Sequence, residues 1–242
     1  MNVLSLFAGI GGLELGLERA GMTTVGQVEI DPFCRRVLAK HWPEVPKYDD
    51  VRTAGDWWSS EPRPDVDLVC GGFPCQPFSQ AGRRRGVADD RWGWPWFETV
   101  VRGVRPRYVV VENVAALLRD GDAWGWMLGD LARLGFDASW SVLRASDTAG
   151  APHIRARVFL VAYPHGEGLE GRGLLGQRPR ERAAWQGVQE SDWARPDARV
   201  FGMADGVPSR VDRLRSLGNA VVPAVAEHIG RLIVAAEARA AA

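Results

Sequence analysis

Residues 107–112 read Arg-Tyr-Val-Val-Val-Glu, an uninterrupted apolar run between two charged ends. Successive side chains of a strand point to opposite faces, so a run without alternation needs cover on both. Sheets covered on both faces by helices are mostly parallel. Other short apolar runs fit beside this one: 3–7, 25–30, 48–51 and 66–70, then 136–143 and 157–163 joined by a turn at Gly150-Ala151-Pro152. Helical periodicity lies between them. Leu13, Leu17 and Ala20 share one face before Gly21, Pro32 opens a helix to about residue 42, and residues 92–103 and 115–134 carry further helices, with Pro95 in the first turns of one. Strands alternating with helices predict an α/β fold, a mostly parallel sheet with helices on both faces.

The 242 residues suffice for one large domain with a well-buried core. From about residue 165 to 205 the pattern fades into glycine, arginine and glutamine with isolated Trp185 and Trp193. This segment is either a surface loop or a recognition element, and long structureless runs inside a domain are rarely idle. Regular pattern resumes at 211–217 and in a terminal helix over 223–239.

Formal net charge is zero, so contact with nucleic acid must use a local patch. Lys40 and Lys47 are the only lysines; the remaining positive charge is arginine, whose planar fork suits phosphates and guanine edges. Three cysteines and four histidines form no Cys-x-x-Cys or His/Cys cluster, so no metal site is expected. The odd cysteine count, with no basic leader and no 18-residue apolar run, predicts a protein of the reducing cytoplasm without a membrane partner.

Two loops carry the chemistry. After the 66–70 run comes Gly71-Gly72-Phe73-Pro74-Cys75-Gln76-Pro77-Phe78-Ser79. It holds one cysteine near a strand's carboxyl end, where ligands gather in open α/β sheets. Cys75 is a candidate nucleophile or a small buried thiol. After the first run comes Ala8-Gly9-Ile10-Gly11-Gly12, whose glycines allow close backbone approach at a helix N-terminus. It is not a P-loop, and Glu14 stands where a dinucleotide fingerprint has its last glycine. Glu29, 18 residues after Gly11, sits where an acidic side chain binds ribose hydroxyls, and Asp50 could reach an adenine amino group. Both could equally be solvated strand ends.

Phe7-Ala8-Gly9-Ile10-Gly11-Gly12, Glu29-Ile30-Asp31, Gly72-Phe73-Pro74-Cys75-Gln76, Glu112-Asn113-Val114, Arg155-Ala156-Arg157 and Gly218-Asn219-Ala220-Val221 occur in that order. Together they closely resemble the DNA cytosine-5 methyltransferase family, over nearly all the chain except about 165–205. The resemblance implies a Rossmann-like S-adenosylmethionine-dependent methyltransferase fold with a small recognition insert. Residues 1–164 would be the catalytic and cofactor-binding core, 165–205 a reduced target-recognition segment, and 206–242 a return to the core. It also implies S-adenosylmethionine as methyl donor and double-stranded DNA as substrate.

By the same resemblance Cys75, Glu112, Arg155 and Arg157 are catalytic. Cys75 attacks carbon 6 of a flipped cytosine, and Glu112 hydrogen-bonds or protonates the ring near N3. Arg155 and Arg157, two apart on one strand face, hold the base or orient its neighbours. Phe7, Gly9, Gly11, Gly12, Glu29, Asp50, Val51, Pro74 and Asn219 bind the cofactor; Asn219 also reads simply as a turn residue after Gly218. Arg83, Arg84 and Arg85, with Arg178 and Arg180 in the insert, are expected DNA contacts. His153 stands where the family usually has glutamine, and no clean exit motif follows the short insert. The family leaves room for a cognate restriction endonuclease, and the chain reads as a monomer. An RNA-directed enzyme of the same fold and a non-catalytic binder of cofactor and DNA are the competing readings.

Overall fold

A computed structural model describes residues 1–74, 92–150, 155–166, 175 and 210–240. Seven strands form one sheet: β1 (Asn2–Leu6), β2 (Thr23–Val28), β3 (Lys47–Tyr48), β4 (Leu68–Gly71), β5 (Tyr108–Val114), β6 (Phe136–Arg144) and β7 (Ala156–Pro164). Their order is β3-β2-β1-β4-β5-β7-β6. The first five are mutually parallel, and β7 runs antiparallel between β5 and β6. The helices are α1 (Gly12–Arg19), α2 (Pro32–His41), α3 (Ala54–Ser59), α4 (Trp94–Val104), α5 (Gly121–Arg133), α6 (Ala145–Ala149), α7 (Arg210–Asn219) and α8 (Pro223–Ala240).

The unbroken apolar run of β5 is explained by its two faces. Val109 and Val111 pack into a layer with Phe97 of α4 and Met127 and Leu131 of α5. Tyr108 and Val110 pack into the opposite layer, with Leu13 and Leu17 of α1 and Ile229 and Ile233 of α8. Each of these valines is at most 1% exposed, and burial of such a side chain stabilises by roughly 1.5–3 kcal/mol. Residues Arg215–Ala240 include a stretch long and apolar enough to cross a membrane; its Ala226, Ile229 and Ile233 are buried against α1 and the sheet.

Local chemistry sets the helix starts. Asp31 accepts hydrogen bonds from the Phe33 and Cys34 amides at 2.8 and 3.3 Å, with Pro32 beginning α2. Asp120 caps α5 through the Ala123 amide at 3.1 Å. Two short helices, α3 and α6, lie where the sequence predicts only connecting segments. The chain therefore does not pass directly from β6 into the turn at 150–152; α6 precedes it, and residues 151–154 lie outside the described residues.

From β1 the chain steps outward through β2 to β3, then crosses back to β4 on the other side of β1 and on to β5. The carboxyl ends of β1 and β4 thus form a switch point, the place where open α/β sheets bind ligands.

Candidate active site

At the carboxyl end of β1 the chain turns through Phe7 and Gly9, at φ 54° and 57°. Glu29, just past β2, ties this turn down. Its Oε2 accepts from the Gly9 amide and its Oε1 from the Asp31 amide, both at 2.7 Å. Each carboxylate oxygen keeps a further lone pair, so Glu29 shapes the loop and can still accept from a ligand hydroxyl. Gly12 begins α1 against residue 221: a side-chain carbon here would run into the Val221 backbone, 3.1 Å from its nitrogen. Any larger residue at position 12 would push the two segments apart.

The second half of the site lies at the junction of β5 and β7. Glu112 pairs across with Phe159, and Val114 with Arg157. Glu112 and Arg157 are therefore diagonal neighbours on one face of an antiparallel pair, within reach of long side chains. Arg157 Nε lies 3.1 Å from Glu112 Oε1 as an ion pair, without the alignment of a hydrogen bond. Glu112 is 7% exposed. Burial pushes its carboxyl above the usual range, against the opposing pull of Arg157 and then Arg155. A side-chain carbon at Gly72 would stand 2.7 Å from Glu112 Oε2, so the β4 exit loop passes close to the carboxyl group because residue 72 has no side chain. Asn113 Nδ2 donates to the Phe73 carbonyl at 3.1 Å and fixes that loop to β5.

Arg155 departs from the expected geometry. It precedes β7 with φ 30°, so the strand alternation that would place it on one face with Arg157 has not begun. Its guanidinium turns to the chain's return, donating to the Gly218 carbonyl at 2.8 Å and the Ala220 carbonyl at 2.5 Å.

Both halves line a single cavity of about 560 Å³. Among the expected residues, Phe7, Gly9, Gly12, Glu29, Pro74, Glu112, Arg157 and Asn219 are on its wall. Gly11, Asp50, Val51 and Arg155 are not. Gly11 lies against Trp42. Asp50 caps the turn Val51–Thr53, and both its oxygens are engaged by Arg52 at 2.7–3.1 Å. Cys75, Arg83, Arg84, Arg85, His153, Arg178 and Arg180 lie outside the described residues; Pro74, on the wall, immediately precedes Cys75. Sequence reasoning gave no role to several wall residues: Leu13, Ile30, Asp31, Cys34, Phe73, Asn113, Arg215 and Ser216. Pro32 after Asp31 signals a capped helix at that wall. Nothing local signals Ser216, whose hydroxyl is 3.4 Å from the Cys34 thiol across 182 residues.

The donor set fits an adenosyl-type cofactor. The cavity volume suits a small-molecule ligand. Its wall mixes apolar groups such as Phe7, Leu13 and Phe73 with the Glu29 carboxylate as an acceptor, and the first residues of α1 line it.

The chain is 37% identical over 169 residues to the Type II methyltransferase M2.BsuMI of Bacillus subtilis, covering 67% of this chain and 42% of that protein. It is 34% identical over 167 residues to the Type II methyltransferase M.DsaV of Dactylococcopsis salina, covering 67% and 46%. The chain thus matches less than half the length of these relatives. Among solved structures, the Entamoeba histolytica methyltransferase EhMeth superposes with a TM-score of 0.65 over 97% of this chain and 98% of that one, at 15% identity, a likeness of fold. The model of the C-5 cytosine-specific DNA methylase family matches residues 1–196, and the chain belongs to that family.

Proposed function

We propose that this chain is the catalytic module of a DNA cytosine-5 methyltransferase, using S-adenosylmethionine and acting through Cys75. The observation that carries the reading is the single cavity joining Glu29 and the α1 loop to Glu112 and Arg157. A donor pocket and a base pocket in one continuous space are what transfer between two ligands requires.

When bound, S-adenosylmethionine supplies an electrophilic methyl group. Phe7, Gly9, Gly12, Glu29, Pro74 and Asn219 would hold it, on the wall they share. Cytosine carbon 5 is a weak nucleophile. Addition of the Cys75 thiolate to carbon 6 forms a C–S bond and moves the ring's electrons toward carbon 5 and N3. Glu112 then donates its proton, or a strong hydrogen bond, at N3. Burial raises the proton affinity of this carboxyl, which favours its acting as the donor to N3. Arg157 orients the Glu112 carboxyl from 3.1 Å. Once carbon 5 carries the methyl group, its proton passes to solvent, the N3 proton returns to Glu112, and the C–S bond breaks to release the Cys75 thiolate. A paired cytosine is out of reach of such a pocket, so the base must be extruded from the duplex, at a cost of a few kcal/mol. Arg83, Arg84, Arg85, Arg178 and Arg180 are the proposed phosphate and groove contacts. The relatives' designation as Type II methyltransferases supports a cognate restriction endonuclease as partner.

Incubation with tritiated S-adenosylmethionine and either unmethylated duplex DNA or tRNA, with base-resolved mapping of the label, tests the reading. Label as 5-methylcytosine in one short duplex motif is expected. Label confined to tRNA would transfer the assignment to an RNA enzyme, and cofactor binding without label in either would overturn catalysis by this chain.

A further inference from the structure

The least expected arrangement in the site is the engagement of Arg155. Both terminal nitrogens of its guanidinium donate to backbone carbonyls 63 and 65 residues away, Gly218 at 2.8 Å and Ala220 at 2.5 Å. The first belongs to the last turn of α7, where carbonyls lack helical partners and a cation is favoured. The segment between these carbonyls is not peripheral: Asn219, Ala220 and Val221 form part of the cavity wall. Val221 in turn rests on Gly12, whose missing side chain lets the two backbones meet. The wall segment is therefore gripped from two sides, by α1 at Gly12 and by Arg155 just before β7.

Two residues further along the chain, Arg157 holds Glu112. We propose that Arg155 is a positioning residue, a clasp that fixes the 219–221 wall of the cofactor pocket to the start of β7, the strand that carries Arg157. This deepens, and rests on, the reading of the cavity as a cofactor site. The two arginines of Arg155-Ala156-Arg157 thereby take different roles. Arg157 serves the base side, and Arg155 serves the donor side without touching the reacting atoms. A guanidinium is required because its fork reaches two carbonyls at once from one planar group. Lysine, a compact ammonium on a flexible stem, lacks that pre-set fork and holds the two carbonyls less firmly.

The test titrates the full-length chain with S-adenosylhomocysteine by calorimetry in the absence of DNA, for wild type, Arg155→Lys and Arg157→Lys. Amide hydrogen exchange over residues 216–223 is followed in each unliganded protein. Loss of one charge-assisted hydrogen bond should weaken binding by Arg155→Lys about tenfold and speed exchange over 218–222. Arg157→Lys should stay within about threefold in affinity, with unchanged exchange there. Arg155→Lys with wild-type affinity and exchange would overturn the clasp. Equal losses in both variants would overturn the division of roles. If wild type itself fails to bind S-adenosylhomocysteine, the cofactor reading falls, and faster exchange in Arg155→Lys would then leave only a structural tie. Exchange reads the grip on the wall directly, so the two failures are distinguishable.

Discussion

Removing the guanidinium from Arg157 while keeping its stem, as in Arg157→Met, leaves Glu112 buried without its counter-ion. At the observed 3.1 Å, an effective dielectric constant of about 20 gives an attraction of about 5 kcal/mol. Arg157 is a quarter exposed, and its own desolvation offsets part of that gain, so a net loss of about 2–3 kcal/mol is expected where Glu112 is ionised. The sign of the pH dependence follows from the carboxyl. Burial already raises its pKa in the folded protein, and Arg157 is the strongest opposing influence. The variant's folded pKa therefore rises further, and its stability falls more steeply as pH climbs toward that value from the ordinary carboxylate range. Below that range, Glu112 is protonated in both proteins and the difference narrows. Urea unfolding at pH 8 and at pH 4 measures this directly: a deficit of about 2–3 kcal/mol at the higher pH should shrink to under about 1 kcal/mol at the lower. Adding Glu112→Gln to Arg157→Met should restore most of the loss at pH 8. An equal deficit at both pH values would refute the reasoning, since it would place the effect of Arg157 in packing of its stem.

Cys75→Ala should abolish methyl transfer while calorimetry shows S-adenosylhomocysteine binding retained; parallel loss of binding would remove the nucleophile assignment. Glu112→Gln should lower the single-turnover rate by about 10²–10⁴ without loss of DNA affinity in a gel-shift assay, and a near-native rate would mean another group activates the ring. Gly12→Ala drives a methyl group into the Val221 backbone, for an expected loss of about 1–3 kcal/mol in urea unfolding together with weaker cofactor binding. Glu14, fully buried in α1, has its pKa pushed up to about 7 by that burial. Its contribution to stability should therefore be full below about pH 4.5 and be lost as pH rises through 7. Glu14→Gln should remove that slope, gaining up to about 3 kcal/mol at pH 8; a slope that persists would assign it to another group.

Much of the fold was legible because each signal was local and over-determined. The β5 run had no alternation, and the structure covers both its faces. Pro32 announced the start of a helix, and α2 begins there. The helices α3 and α6, six and five residues long, are too short for an apolar period to register. Their burial depends on partners distant in sequence: Trp58 of α3 packs in a layer with Val69 and Val100. Nor could the sequence reveal that β7 inserts antiparallel between β5 and β6. A strand's direction relative to its neighbour is set by connections and packing, not by its own residues. The expectation that Arg155 and Arg157 share a face depended on where β7 begins. One residue's difference at that boundary, with φ 30° at Arg155, sends the first guanidinium to the carbonyls at 218 and 220.

The reversed strand also explains how one cavity can serve two ligands. In the parallel part of the sheet every strand delivers only its carboxyl end to the switch point, so β1, β2 and β4 contribute residues that follow a strand: Phe7, Glu29 and Pro74. A strand running the other way delivers its beginning to the same edge. Antiparallel pairing therefore sets Arg157, in the first residues of β7, beside Glu112 and Val114, in the last of β5. A parallel seventh strand would carry its early residues to the opposite edge of the sheet, far from Glu112. The ion pair that tunes the carboxyl group thus depends on the direction of β7 as much as on the identity of its residues. This predicts that the spacing between Arg157 and the rest of β7 tolerates no insertion. A single glycine added between Arg157 and Val158 would turn Arg157 to the other face of the strand and free Glu112 of its partner. The pH-dependent loss expected of Arg157→Met should then appear with the guanidinium still present, and its absence would show that the charge alone, irrespective of face, holds the carboxyl group.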